Sequence, residues 1–243
     1  IVGETLNHLG LNALWSVGKG RMPEAPPALV GLRYMGAEKN SPTIALVGKC
    51  LVFDTGGEQI KSDDGMLGMK ADMGGAAAVL ATFNLLVKRR AKVNIVATLA
   101  VADNAISHKS YHPGDVLRTY RGKTIEVTHT DAEGRLALAD AVSYTEENFK
   151  PDYLVTLATL TGAAVVALGH EFAALYGKTN RMVEVLTIAS AKTWNKAWHM
   201  PLNEAEHAVV KPSKIADTTN LGARPGGSIS AAKFVLGFAE TTH

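Results

Sequence analysis

The sequence predicts an α/β protein: a mostly parallel central sheet covered by helices on both faces, folded as a single domain. Three observations carry that prediction. Apolar, β-branched runs alternate along the chain with longer helical patterns, the arrangement that builds parallel sheets. Several of those runs end in glycine-containing turns that lead into polar loops or helices, as at Asp54-Thr55-Gly56-Gly57 and Leu160-Thr161-Gly162-Ala163. No internal repeat or low-complexity linker divides the 243 residues, a length that one large domain can use.

Taken in order, Leu9 to Gly18 is an apolar run expected to turn from helix to strand, and Pro23, Pro26 and Pro27 mark a loop. Ala28–Tyr34 and Thr43–Val47 read as strands from their β-branched and apolar content. Val47 to Asp54 continues as strand into a Gly-Gly turn, and a polar, glycine-rich loop follows through Lys61 to Lys70. From Asp72 to Arg90 the pattern is one long helix, with an acid at its start and Lys88, Arg89 and Arg90 at its end to suit the helix dipole. Its Ala/Gly-rich first turns imply close packing on the sheet. Val93–Val101 suggests a central buried strand, and Asp103–Asp115 a loop. A short strand, Thr124–Val127, leads through a charged loop to a helix over Leu136–Glu147. Tyr153–Thr159 reads as another buried strand, Ala173–Tyr176 as a short one, and Thr179–Ala197 as a helix. Lys214–Asn220 and Gly222–Gly227 read as polar loop, and Ile229–Glu240 as a last helix.

Composition narrows the function. Hydrophobic residues make up 47% and charged residues 20% of the chain, ordinary for a protein with a full core. A net charge of +2 is too weak to argue for nucleic acid or a membrane surface as a partner. The single cysteine, Cys50, permits no intrachain disulfide, and it lies inside a strand as a small core residue rather than a nucleophile. No apolar run approaches a membrane span. The first residue is Ile1 rather than Met, and Glu240–His243 follow a helical pattern with no stop, so both ends are expected to be incomplete.

The chemistry concentrates at His129-Thr130-Asp131-Ala132-Glu133-Gly134-Arg135-Leu136, between a strand-like and a helical run. Ligands bind at such junctions, outside the carboxyl ends of strands in open α/β sheets. Asp54, Asp72, Asp131 and Glu133 come from three separate segments, with Lys49 and Lys61 bracketing Asp54 and Arg135 flanking Glu133. Each has a bland reading: a helix cap for Asp72, dipole-complementing acids for Asp131 and Glu133, solvated charges for the lysines. Jointly they read differently. Converging at one sheet edge, the four carboxylates could not all ionise without compensation. Divalent cations are the usual compensation, and four acids suffice to hold two. A zinc-binding His-Glu-x-x-His helix, a Gly-x-Ser-x-Gly elbow and a phosphate loop are all missing from the sequence. His129 is the histidine nearest the cluster, and the others sit in polar, solvent-facing surroundings.

His129–Leu136 resembles the Asn-Thr-Asp-Ala-Glu-Gly-Arg-Leu motif of the leucyl aminopeptidase (cytosol aminopeptidase) family of two-metal exopeptidases. Val47–Gly57, Lys61 and Met69–Ala77 resemble that family's other metal-binding segment in order and spacing. Pro113-Gly114-Asp115, Ala158–Ala163, Ala216-Asp217 with Asn220, and residues 226–238 match further landmarks, so the likeness covers nearly the whole chain.

The resemblance implies a catalytic domain over residues 1–243, lacking the family's N-terminal domain and its last segment. It implies that Lys49, Asp54, Asp72 and Glu133 hold one metal, and that Asp54, Asp131 (with its backbone carbonyl) and Glu133 hold the other. Zn²⁺, Mn²⁺ and Mg²⁺ are the candidate ions. Lys61 matches the residue that polarises the scissile carbonyl, and Arg135 the one that holds a bicarbonate. Lys61, Met69, Asp72, Thr159, Leu160 and Gly162 match substrate-binding positions. The activity implied is removal of the N-terminal residue from peptides, in a cytoplasmic homohexamer built as a dimer of trimers. A dipeptidase and a non-catalytic scaffold or DNA-binding regulator are the rival readings. His129 stands where the family has Asn, Cys50 where it has Gly, and Thr55 where Ser is common. Ser107-His108 and His112 also depart from the pattern, and none of these is a matched ligand.

Overall fold

The computed structural model describes residues 1–202 and 212–240. In chain order the elements are α1 (Glu4–His8), α2 (Asn12–Gly18), β1 (Ala28–Met35), β2 (Thr43–Asp54), α3 (Asp63–Met66), α4 (Gly74–Lys88), β3 (Asn94–Asn104), β4 (Val116–Arg118) and β5 (Thr124–Glu126). There follow α5 (Glu133–Phe149), β6 (Tyr153–Leu157), α6 (Gly162–Leu168), β7 (Ala173–Leu175), α7 (Asn180–Ala191), β8 (Ala197–His199), β9 (Thr218–Thr219) and α8 (Gly227–Leu236).

The central sheet has the order β1-β3-β2-β6. β2 runs parallel to both β3 and β6, and only β1 is antiparallel to its neighbour β3. The α/β, mostly parallel expectation therefore holds. Alternation along the strands divides two cores. Val47, Leu51, Ala100 and Ala102 face α2 and α5, with Leu14, Leu136 and Leu138 opposite them. Ala97 and Leu99 face α4, meeting Ala76 and Val79. The Ala/Gly-rich start of α4 is as close to the sheet as its composition implies. A Cβ on Gly75 would stand 2.1 Å from the Leu157 carbonyl oxygen, where only glycine fits. Among the described residues no helix is long and apolar enough to cross a membrane.

Several elements differ from expectation. Leu9–Gly18 holds no strand; residues 12–18 are helix, and Leu14 and Val17 bury against the sheet. Asp72 starts no helix: it ends a short 3-10 turn, and α4 begins at Gly74. β6 lies at the sheet edge and is only half-buried, and it stops at Leu157, leaving Thr159 and Leu160 in the loop beyond. α7 ends at Ala191, and Ala197–His199 instead pair with β7, because a nearby extended segment offers backbone partners that periodicity cannot reveal. Thr218–Thr219 lie in a polar loop as expected but also pair with β5. α8 is shorter at its C-terminal end than the expected Ile229–Glu240 helix. The largest difference concerns β5, the strand before the charged loop. It belongs to a separate three-stranded sheet, β4-β5-β9, and not to the central one.

Candidate functional site

Two residues of β2, Lys49 and Asp54, face the same site although they are an odd number of positions apart. Strict alternation would send them to opposite faces. The register of β2 against β3 shifts between Leu51 and Phe53, and this bulge restores the common direction. The bulge also positions a third residue: the Leu51 amide donates to the Asp72 carbonyl at 3.2 Å, tying the loop before α4 to the strand. Glu133 opens α5, with Asp131 two residues before it and Arg135 in its first turn. Gly134 lies directly under Lys49. A Cβ there would come within 2.6 Å of Lys49 Cε and 2.7 Å of Nζ.

Charges interleave. Lys49 Nζ lies 2.8 Å from Asp72 Oδ2 and 2.9 Å from Glu133 Oε1, and it donates to the Thr159 carbonyl at 3.1 Å. Lys61 Nζ lies 2.9 Å from Asp54 Oδ2 and also pairs with Asp131 Oδ1. Thr159 Oγ1 donates to Asp72 Oδ1 at 2.7 Å. The bland readings of the lysines as surface charges do not hold: Lys49 is 3% exposed. Burial works against its charge, but Glu133 and Asp72 outweigh burial and hold its pKa above the ordinary lysine value. Lys61 is raised for the same reason by Asp131 and Asp54. Glu133 is pushed up to about 7, first by burial, with Asp54 and Asp72 adding to it and Lys49 opposing. Burial likewise raises Asp72 and Asp131 against their lysine partners.

Among the described residues of the cluster, Glu133 and Arg135 keep buried polar atoms with neither a hydrogen bond nor an ion pair. Glu133 Oε2 has no hydrogen-bond partner, and neither do Arg135 Nε and Nη1. Arg135 is 4% exposed, and burial lowers its pKa to about 10 despite the Glu133 charge. Such orphans are costly unless something binds them. Ligand oxygens of Asp54, Asp131 and Glu133 lie within 4.8 Å of one another. An oxygen-rich set of that size, with a free buried carboxylate oxygen, fits divalent cations, and the orphaned guanidinium beside it fits a small anion.

Polar residues outside the expected ligand and substrate positions hold these loops. Asn104 Nδ2 donates to Asp54 Oδ1 at 2.8 Å and to the Thr130 carbonyl at 3.2 Å. Tyr111 donates its hydroxyl proton to the same carbonyl at 2.6 Å. Gln59 and Thr130 bond each other, and Thr130 Oγ1 donates to the Gly56 carbonyl. His129 Nδ1 accepts the Asp131 amide at 3.2 Å, so this histidine helps shape the loop that presents Asp131. Asn220 donates to the His129 carbonyl and accepts the Thr128 amide. The one sequence signal for Asn104 was its place at the polar end of an apolar strand. The other described histidines are exposed, as their surroundings predicted.

A cavity of about 920 Å³ joins these groups. Lys49, Asp54, Lys61, Met69, Asp72, Asp131, Glu133, Arg135, Thr159, Leu160 and Gly162 all line it, so every residue singled out for the site faces one space. The cluster comes from the β2–β6 end of the central sheet and from the loop of the second sheet together.

The pattern described as the cytosol aminopeptidase family, catalytic domain, matches residues 1–243. The chain belongs to this family. It is 45% identical over 242 residues to a probable cytosol aminopeptidase of Caulobacter vibrioides, covering 99% of this chain and 48% of that protein. A probable cytosol aminopeptidase of Hydrogenovibrio crunogenus is 41% identical over 232 residues, covering 96% of this chain and 46% of the relative. The chain thus spans about half the length of the cytosol aminopeptidases it matches. Among solved structures, the leucyl aminopeptidase of Trypanosoma brucei in complex with bestatin superposes with a TM-score of 0.95 at 35% identity, covering 100% of this chain and 47% of that one. The Leishmania major leucyl aminopeptidase in complex with actinonin gives 0.93 at 35%, covering 99% and 47%.

Proposed function

We propose that residues 1–243 form the catalytic domain of a metal-dependent aminopeptidase that hydrolyses the N-terminal peptide bond of peptides. The observation that carries this reading is the convergence of four carboxylates and two lysines on one cavity, with Glu133 Oε2 left without a partner. The family membership supports it, as do the inhibitor complexes of the Trypanosoma and Leishmania leucyl aminopeptidases.

In this reading Lys49, Asp54, Asp72 and Glu133 would hold one divalent cation, and Asp54, Asp131 and Glu133 the other; Lys49 would bind as the neutral amine, the dication displacing the proton that Asp72 and Glu133 otherwise hold on it. Zn²⁺ or Mn²⁺ suits the donors best, with Mg²⁺ also compatible with an oxygen-rich set. When bound, divalent cations would supply a water acidic enough to serve as nucleophile near neutral pH, and a bicarbonate would supply a carrier for its proton to the leaving amine. The Lys61 ammonium donates to the scissile carbonyl oxygen as negative charge develops there, a contribution on the order of 3 kcal/mol per donor in other enzymes. Asp72 lines the same cavity and counts among the substrate-binding positions. Met69, Thr159, Leu160 and Gly162 wall the space for an apolar first side chain. Arg135 would hold the bicarbonate through its unpaired Nε and Nη1 hydrogens. A cytoplasmic homohexamer, a dimer of trimers, completes the proposal; the name cytosol aminopeptidase among relatives supports the location, and light scattering tests the assembly.

Alanine at Asp131 or Glu133 tests the whole reading. Both variants are expected to lose metal binding by calorimetry and hydrolysis of an amino-acid anilide. Retained activity in a folded variant would sink the assignment. Comparing Cys-Gly with leucine-terminated tripeptides as substrates separates a general aminopeptidase from a dipeptidase.

A further inference from the structure

Asn104 is the last residue of β3 and is fully buried. Its carboxamide nitrogen makes two hydrogen bonds. Nδ2 donates to Asp54 Oδ1 at 2.8 Å and to the Thr130 carbonyl at 3.2 Å. Its Oδ1 lies 3.4 Å from the Tyr111 hydroxyl, whose one proton goes to the Thr130 carbonyl, so the carboxamide orientation follows from the two acceptors that face Nδ2. Its backbone carbonyl accepts both the amide and the hydroxyl of Thr55, which holds the chain immediately after Asp54.

The consequence lies in Asp54. A carboxylate has two equivalent oxygens, and their partners decide which one faces a ligand. Asp54 Oδ1 takes the Asn104 carboxamide and the Gly56 amide, at 2.8 and 2.9 Å, while Oδ2 is left toward Lys61 at 2.9 Å. Through Thr130 the same carboxamide nitrogen holds the loop one residue before Asp131. A strand-borne and a loop-borne carboxylate are thus aligned by one buried side chain. Aspartate at 104 would set a second carboxylate against Asp54 with no proton to donate.

We infer that Asn104 is a positioning residue of the metal centre, setting the rotation of Asp54 and the distance between the Asp54 and Asp131 segments, with Tyr111 bracing the Thr130 carbonyl beside it. The inference rests on the two-metal reading above. Losing a partner that orients a ligand typically costs about 10- to 100-fold in metal affinity.

The test uses Co²⁺ in place of the native ions, because its visible absorption reports ligand geometry independently of turnover. The protein and its Asn104→Leu and Asn104→Ala variants are stripped of metal and titrated, with far-UV circular dichroism monitoring the fold. Leucine keeps the buried volume while removing the donor. A folded variant is expected to bind Co²⁺ about 10- to 100-fold more weakly, with an altered absorption band. A folded variant with wild-type affinity and spectrum overturns the inference alone. Wild-type protein that takes up no Co²⁺ overturns the two-metal reading and this inference with it. Should neither variant fold, the Asn104 side-chain amide is followed by NMR in unaltered protein labelled at asparagine. Slow exchange with solvent and a shift on adding Zn²⁺ are expected; a fast-exchanging signal that Zn²⁺ leaves unmoved overturns the inference.

Discussion

Gln59 and Thr130 clasp each other across two loops: the Thr130 amide donates to Gln59 Oε1 at 2.8 Å, and the Gln59 amide donates to Thr130 Oγ1 at 2.9 Å. Thr130 is fully buried, and its hydroxyl proton goes on to the Gly56 carbonyl. Lys61 follows two residues after one half of the clasp, and Asp131 one residue after the other. The pairing of Lys61 with Asp131 therefore rests on contacts outside both residues.

Gln59→Ala leaves a buried Thr130 amide without an acceptor, a cost of about 1–3 kcal/mol. At this chain length that lowers the melting temperature by roughly 2–4 °C per kcal/mol. With Lys61 less well placed, kcat for an amino-acid anilide falls more than KM changes. An unchanged melting temperature refutes the clasp as a source of stability.

Gly134→Ala tests why glycine stands between Glu133 and Arg135. The added Cβ would meet the far end of Lys49, a flexible side chain that can move aside, so the fold should tolerate it. The Lys49 amine cannot then keep its place between Asp72 and Glu133. We expect a melting temperature within a few degrees of wild type, together with a large loss of metal affinity measured by calorimetry. Wild-type affinity in this variant would falsify the placement of Lys49 at the metal centre.

Arg135→Leu should separate function from stability. The guanidinium is buried with two unpaired nitrogens, and replacing such a charge by an apolar side chain is often neutral or stabilising. The variant is expected to melt no lower than wild type while turnover drops on the order of 10²-fold. Added bicarbonate should stimulate the wild type and leave the variant unaffected. Equal stimulation of both argues that the anion binds elsewhere.

Asp140 gives stability a pH dependence of its own. Fully buried in α5, it accepts the Leu14 amide at 2.9 Å and the Tyr120 amide at 2.8 Å. Burial pushes it up to about 7, with the amides of Leu14, Tyr120 and Ala13 opposing. In the unfolded chain it titrates near the ordinary value of about 4. Between those two values the folded chain carries the extra proton, so the contribution of this group falls as pH rises from about 4 to about 7. Asp140→Asn should flatten that slope in denaturant titrations across the window. It should also lower stability by about 1–3 kcal/mol, because an amide offers one acceptor where the carboxyl offers two. A slope identical to wild type counts against the raised value.

Much of the site was legible because its chemistry sits in short local strings. Asp131, Glu133 and Arg135 are close in sequence, and Lys49, Asp54, Lys61 and Asp72 fall within one segment, so residue type and spacing already mark them. The alternation of apolar runs likewise exposes β2, β3 and α5. Boundaries were less visible. Thr179–Ala197 keeps a helical composition past Ala191, yet the pairing of β8 with β7 takes its last residue. β5 reads as a strand from Thr124 and Ile125, and only its partners β4 and β9 show which sheet it joins.

By itself the sequence determined which groups carry charge, where the apolar faces run, and that the chain resembles one family along nearly its whole length. Those properties belong to individual residues and their near neighbours. The tertiary structure alone decided how the groups face each other. A bulge in β2 turns Lys49 and Asp54 to one side, Gly134 leaves room for the Lys49 amine, and Asn104, Gln59 and Tyr111 hold loops far apart in sequence. Hydrogen bonds between distant segments depend on distance and direction in space, and neither is written in residue order.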